Sequence, residues 1–274
     1  MSAVRAPERR RTGGGVRALW AGNPLAVVQR GLIAARSSSW AIVLSGFFEP
    51  VFYLASMGIG LGALIGDVQT SQGGEVPYAA FIAPALLTVS AMNGAIYDST
   101  WNVFFKLNYG RLYEGMLATS LGPLDVALGE ILYALLRGLL YATGFMVIMQ
   151  LLGLNLAPTA ILALPAVLLV AFGFASLGMA ITSYMKTFQH MDWINFVLLP
   201  MFLFSATLYP IDIYPEAIQG IIMAFPLWHG VELVRGLTTG MLSAGMLWHV
   251  AYYAVMIAVG LVFTTRRLRS LFLD

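Results

Sequence analysis

Few residues in this chain could do covalent chemistry, and they do not cluster. There is no cysteine, so no thiolate nucleophile, disulfide framework or cysteine metal site can form. The three histidines, His190, His229 and His249, are too scattered to suggest a metal centre. A phosphate-binding loop needs Gly-x4-Gly-Lys-Ser/Thr, so that backbone amides cradle the phosphates and lysine neutralises them. Of the two lysines, Lys106 precedes Leu107 and Lys186-Thr187 follows Met185, so neither fits. What remains is a set of charges inside apolar stretches: Glu49, Asp98, Glu130 and Arg137. Glu130 and Arg137 lie on one helical face but about 10 Å apart along the axis, too far for a direct bond, so Arg137 needs a partner on another helix. Intramembrane charge is expensive and faces protein or water. Two readings stay open for this set, structural pairing between helices or a polar entrance for a substrate headgroup. A proton relay fits poorly, because no carboxylate and histidine line up within one span. An intramembrane enzyme would need acid, base and nucleophile at one depth, and a passive channel would need rings of charge or a carbonyl filter. Neither pattern is present.

The elements that must hold these charges follow from composition. The chain has 274 residues, 59% hydrophobic and only 10% charged, with a mean hydropathy of +0.80. Soluble domains carry roughly 25% charge. An ordinary soluble enzyme, a disordered chain and a nucleic-acid-binding domain are thereby excluded. The fold class is an all-α membrane protein with six transmembrane helices, expected at about 40–65, 79–105, 126–151, 161–184, 193–209 and 245–265. The fifth is the shortest and carries Pro200, where a kink is expected. Thirteen of the 15 basic residues fall before span 1, in the 2–3 and 4–5 loops or after span 6, which places both termini in the cytoplasm of a multi-pass plasma-membrane protein. Arg9-Arg10-Arg11 is not read as an export signal, because the first apolar run starts only near Trp40 and is too long. Residues 1–23 read as a flexible basic leader, 24–38 as an amphipathic interfacial helix and 39–270 as the transmembrane domain. Pro24 suits a helix start, and Leu25, Val28, Leu32 and Ala35 form its apolar stripe; the alternative is an unstructured basic leader.

Span 2 carries a polar stripe, Ser90, Asn93, Tyr97 and Thr100, and span 5 another, Asn195, Phe202, Ser205 and Tyr209. Such faces look at protein or a cavity rather than lipid. The 2–3 loop contains a short helix on which Arg111, Glu114, Leu117 and Ala118 share one side, ended by Gly122-Pro123. It could dock a soluble partner or simply connect two spans. Residues 210–244 hold apolar stretches too short to cross, broken at Pro210, Pro215 and Pro226, which suits re-entrant helices between spans 5 and 6.

Certain segments carry a family resemblance: Phe48-Glu49-Pro50-Val-Phe-Tyr53, Arg111-Leu-Tyr-Glu114-Gly-Met-Leu-Ala-Thr119 with Pro123, Leu128-Gly129-Glu130 leading to Arg137, Leu198-Leu199-Pro200 to Ser205, and Pro226-Leu227-Trp228-His229-Gly230-Val-Glu232-Leu-Val-Arg235. With the span pattern, they resemble the transmembrane subunit of an ABC-2 type ABC transporter, most similar to the branch of nodulation-factor and daunorubicin-type drug exporter permeases. The resemblance covers roughly residues 20–270. It implies an ATP-driven exporter of an amphipathic drug, lipid or glycolipid, with polysaccharide or lipo-oligosaccharide export through a continuous channel as the alternative. It also implies two permease copies and two copies of a separate ATPase that binds ATP and Mg, while this chain binds no cofactor or metal and catalyses nothing. The coupling contact would comprise Arg111, Tyr113, Glu114, Leu117 and Thr119. The substrate path would run along Glu49, Asn93, Tyr97, Asp98, Asn195, Phe202 and Tyr209, against membrane lipids and the second copy, with Glu130 and Arg137 as structural charges.

Overall fold

A computed structural model describes residues 20–35, 48, 50–70 and 74–272. Glu49 and most of the first half of the expected span 1 lie outside the described residues. Helix α1 covers Pro24–Ala35 and α2 covers Pro50–Ile65, π-helical over Leu54–Leu61. A two-stranded antiparallel hairpin follows, β1 (Asp67–Gln69) paired with β2 (Glu75–Pro77) in the register Val68 opposite Val76. Then come α3 (Tyr78–Asn108), α4 (Leu112–Leu117), α5 (Pro123–Leu151), α6 (Pro158–Tyr184), α7 (His190–Phe204), α8 (Glu216–Ala224), α9 (Pro226–Thr239) and α10 (Met246–Phe272).

By length and composition, α3, α5, α6 and α10 can cross a membrane, and α8 with α9 forms a pair bent by 88°. Among the described residues the count is four, or five if the bent pair is one span; α2 and α7, where the first and fifth spans were expected, are shorter apolar helices. The expected fifth span differs most. α7 has 15 residues, below the roughly 17 that a hydrocarbon core requires. It ends early because Ser205 and Thr207 turn their hydroxyls back onto the carbonyls of Met201 and Phe202, and Ala206 between them adopts a left-handed φ of 52°. Ser205 and Tyr209 therefore lie beyond the helix that was to carry them. α7 runs through Pro200 without interruption.

α6 is the centre of the bundle, packed most extensively against α10 and α3. Small residues let the backbones close in. Gly260 of α10 sits on the Ser176 backbone, where a Cβ would come within 2.6 Å, and Gly178 sits on the Ser99 hydroxyl. α3 contains the buried Pro84, whose carbonyl accepts from Thr88 Oγ1 at 2.7 Å. A π-helical turn over Asp98–Asn102 then interrupts α3 before its last turn and a half. One apolar cluster surrounds Tyr113, Ile131, Phe174 and Met179, towards the end where Arg30, Lys106 and Arg267 gather, here called the basic end. Another, around Phe81, Ile82, Phe145 and Val234, fills the opposite end.

The expected apolar stripe of α1 is divided between the protein and its surroundings. Val27, Val28 and Gly31 are buried, while Leu25, Leu32 and Ile33 point away from the protein. The cause is a notch in α5: the Val27 side chain and Pro24 carbonyl occupy the space a Cβ on Gly129 would need, and Gly31 lies flat against the Tyr133 ring.

Candidate functional site

Four elements meet at the basic end around Glu130, near the start of α5. Its carboxylate accepts from Arg30 of α1 at 3.3 Å and from Lys106 at the end of α3. Glu130 is buried, whereas the two cations are partly exposed. Tyr113 of α4 is fully buried beside this group, and its hydroxyl has no hydrogen-bond partner among the described residues. Burial pushes the Tyr113 phenol well above its usual range; the Glu130 charge adds to this and Arg30 opposes it. Tyr113 therefore stays protonated at any physiological pH.

One turn earlier, Asp125 is completely buried and accepts four backbone N–H groups. Three come from the approach to α1, Ala21 at 2.7 Å, Gly22 at 3.1 Å and Asn23 at 2.9 Å; the fourth is Gly122 at 2.9 Å, the residue before α5. A carboxylate three residues into a helix is well placed against the unpaired N–H groups there. This one also holds the N-terminal segment of α1, so a single side chain starts two helices.

Asp98, within the π turn of α3, pairs with Arg137 of α5 and accepts from Asn102 Nδ2 at 2.7 Å. Arg137 thus finds its partner on another helix, as the spacing required. Asp98 is buried, and the void between it and Glu130 is about 10 Å³, lined also by Val103, Ile131, Ala134 and Met179. That is at most one water. Asp98 was expected on the substrate path. Arg137 and Asn102 engage it, and the adjoining void is small. Replacing Arg137 by alanine should destabilise the folded chain by about 2–3 kcal/mol, because a buried carboxylate loses its cation. The double variant Asp98→Asn/Arg137→Gln should lose clearly less than the sum of its singles. Thermal unfolding in detergent across the four-protein cycle measures this, and strict additivity would refute the pairing.

Between α3 and α5 the chain makes the short helix α4. Arg111, just before it, is held at a left-handed φ of 45°. That conformation costs a non-glycine residue of order 1–2 kcal/mol. Tyr113, Met116 and Leu117 face the chain's own core, whereas Arg111, Leu112, Glu114 and Thr119 are exposed. The outward face therefore differs from the expected one. Tyr113 and Leu117 turn inward because they fill the cluster beneath Glu130. Thr119 Oγ1 donates to the Met116 carbonyl and helps form the turn that follows α4.

Of the other expected path residues, Asn93 and Tyr97 lie exposed on α3, and Tyr97 stacks on Trp101. Asn195 is exposed on α7, Phe202 is half-buried against the bundle, and Tyr209 lies exposed towards the opposite end. Glu49 lies outside the described residues. Asn93, Tyr97 and Tyr209 are thus exposed, whereas Asp98 is buried.

Two further groups escaped sequence reasoning. Arg235 of α9 is 3% exposed yet fully engaged. It donates to Glu232 at 2.7 Å, to the Phe81 carbonyl of α3 at 3.2 Å and to the Ala206 carbonyl at 2.8 Å, and its guanidinium lies 3.8 Å from the Phe81 ring centre. A glutamate three residues before an arginine in an apolar helix was the available signal. The second group is His229 and His249, distant in sequence but adjacent in the fold.

Comparisons with known proteins agree with this architecture. Residues 25–239 match the family model described as ABC-2 type transporter. The nodulation protein J of Rhizobium leguminosarum bv. viciae is 31% identical over 258 residues, covering 93% of this chain and 98% of the relative. That of Sinorhizobium fredii is 31% identical over 90% of this chain and 95% of the relative. From the family match over most of its length and from these relatives, the chain belongs to the ABC-2 type transporter family.

Proposed function

We propose that this chain is the permease subunit of an ATP-driven exporter for an amphipathic substrate, a drug-like compound, lipid or glycolipid. Two copies work with two copies of a separate ATPase that binds ATP and Mg. Six spans carry both termini on the ATPase side of the plasma membrane, with α2 and α7 as the first and fifth. The gathering of basic residues at one end supports that orientation. The bent pair α8–α9 is re-entrant: Gly230 of α9 touches Thr88 and Val170, well inside α3 and α6. The outward apolar face of α7, with Trp193, Phe196 and Leu199, suits lipid or the second copy.

The observation that carries this reading is the 109–122 segment, a helix anchored by Tyr113, Met116 and Leu117 that leaves Arg111 and Glu114 exposed to meet a partner, with Thr119 exposed in the turn that follows. Co-expression with a candidate ABC ATPase from the same genome is the test. The double variant Arg111→Ala/Glu114→Ala should lose about tenfold or more in ATPase affinity, about 1.4 kcal/mol, with thermal stability unchanged. Unaltered co-purification and substrate-stimulated hydrolysis would overturn the assignment.

A second reading, lipo-oligosaccharide export through a continuous channel, is favoured by relatives that bear the name nodulation protein J along nearly their whole length. Uptake of an N-acylated oligosaccharide into inverted vesicles holding the permease and its ATPase distinguishes it from drug efflux.

A further inference from the structure

His229 lies in the first turn of α9 and His249 in the first turn of α10, and both are buried. Their Nδ1 atoms are 2.7 Å apart. Aromatic rings close the site: Tyr252 stacks on His229 at 4.1 Å, and Trp228 sets its plane edge-on to both imidazoles. Tyr253 Oη donates to the Pro226 carbonyl at 2.7 Å, so this turn of α9 is tied to α10 at two adjacent points.

The contact restricts how many protons the pair can hold. With both rings neutral, one Nδ1–H donates to the bare Nδ1 of the other. A first added proton goes to the free Nε2 of the donor ring and leaves that bond intact. A second must occupy the accepting Nδ1, which places two N–H donors and two cations face to face at 2.7 Å. The contact cannot survive that state. The charged and titratable groups around it are Glu232 and Arg235, bonded to each other along α9, and the phenols Tyr252 and Tyr253 of α10. α3 and α6 meet this turn with Thr88 and Val170, neither of which titrates.

We propose that His229 and His249 form a proton-binding latch that accepts one proton with α9 closed on α10 and releases that turn of α9 when the second proton binds. The latch is independent of substrate and ATPase, so it goes beyond the exporter reading and its test does not need that reading to hold.

The chain is free of cysteine, so two introduced cysteines can be labelled without background. Spin labels at Ile218→Cys on α8 and Leu247→Cys on α10, both exposed positions, report the separation in the full chain reconstituted into liposomes. Between about pH 7.5 and pH 3.5, a range carried well below the usual imidazole pKa of about 6.5 because two cations 2.7 Å apart oppose the second proton, a second, longer distance should appear and grow as the pH falls. His249→Gln, which keeps a hydrogen-bonding side chain but takes no proton, should hold the short distance at both pH values, and so should His229→Gln. A distance that stays unchanged in the unsubstituted-histidine protein overturns the latch. So does a pH-driven lengthening of equal size in both glutamine variants. The first arm needs no histidine variant to fold.

Discussion

Replacing Arg235 by methionine should lower the unfolding free energy by about 3–5 kcal/mol. The guanidinium holds four things together: Glu232 in its own helix, the Phe81 carbonyl and ring in α3, and the Ala206 carbonyl beyond α7. Methionine fills much of the same volume but strips Glu232 of its guanidinium and leaves two buried carbonyls short of a donor. The left-handed backbone at Ala206 then has less to hold it, and the loop that ends α7 should loosen with it. Lysine should not rescue the site, because a point charge cannot serve a carboxylate and two divergent carbonyls at once. Thermal unfolding of the purified protein measures the loss. The double variant Glu232→Gln/Arg235→Met should recover part of it, since the carboxylate deprived of the guanidinium is no longer charged. A single variant as stable as the parent would show that Arg235 is not the tie between these elements.

Asp125→Ala should cost about 3 kcal/mol and, more tellingly, should release α1. The carboxylate accepts from four backbone N–H groups, three of them belonging to residues 21–23. Bonds to an ionised acceptor contribute about 1.5–3 kcal/mol each when isolated, and bonds that share one carboxylate add to less than their sum. With the anchor lost, α1 keeps its packing against α5, in the Gly129 notch and on the Tyr133 ring, and the Arg30–Glu130 pair. Amide hydrogen exchange over residues 24–35 should then accelerate by one hundredfold or so, about 2.7 kcal/mol of local stability, while α6 and the first turns of α10 stay protected. Asp125→Asn, which can still accept at one oxygen, should fall between. Unchanged exchange in α1 would mean that the notch alone holds the helix.

The long helices α3, α5, α6 and α10 were legible in the sequence because each is an apolar run longer than a bilayer needs, with Pro, Gly or a change in polarity near its ends. The start of α1 was legible from Pro24. Its buried face was not, because Leu25, Val28 and Leu32 form as good a stripe as Val27, Val28 and Gly31. The choice falls to the Gly129 notch, a hundred residues away. For Arg137, spacing showed that its partner must be on another helix but could not choose between Asp98 and other carboxylates. α4 was placed correctly along the chain, whereas which of its residues turn inward depends on the cavity beneath Glu130. The histidine pair was beyond reach because positions 229 and 249 meet only through the bend between α8 and α9 and the turn that follows.

The π turn at Asp98–Asn102 has a consequence for phase. In a regular α-helix, positions eight apart such as Asp98 and Lys106 diverge by about 80° around the axis. Glu130 and Arg137, seven apart on α5, differ by only about 20°. The extra residue taken up in the π turn removes most of that mismatch. α3 thereby presents its two charges with the heptad spacing of α5, and the antiparallel helices meet as Asp98 to Arg137 and Lys106 to Glu130. The turn works as a vernier between two helices of unequal count. Deleting one residue within it would turn α3 into a regular helix with its two charges seven apart, about 20° out of phase, so both ion pairs should survive, whereas regularising the turn at its present length would carry one of them out of reach.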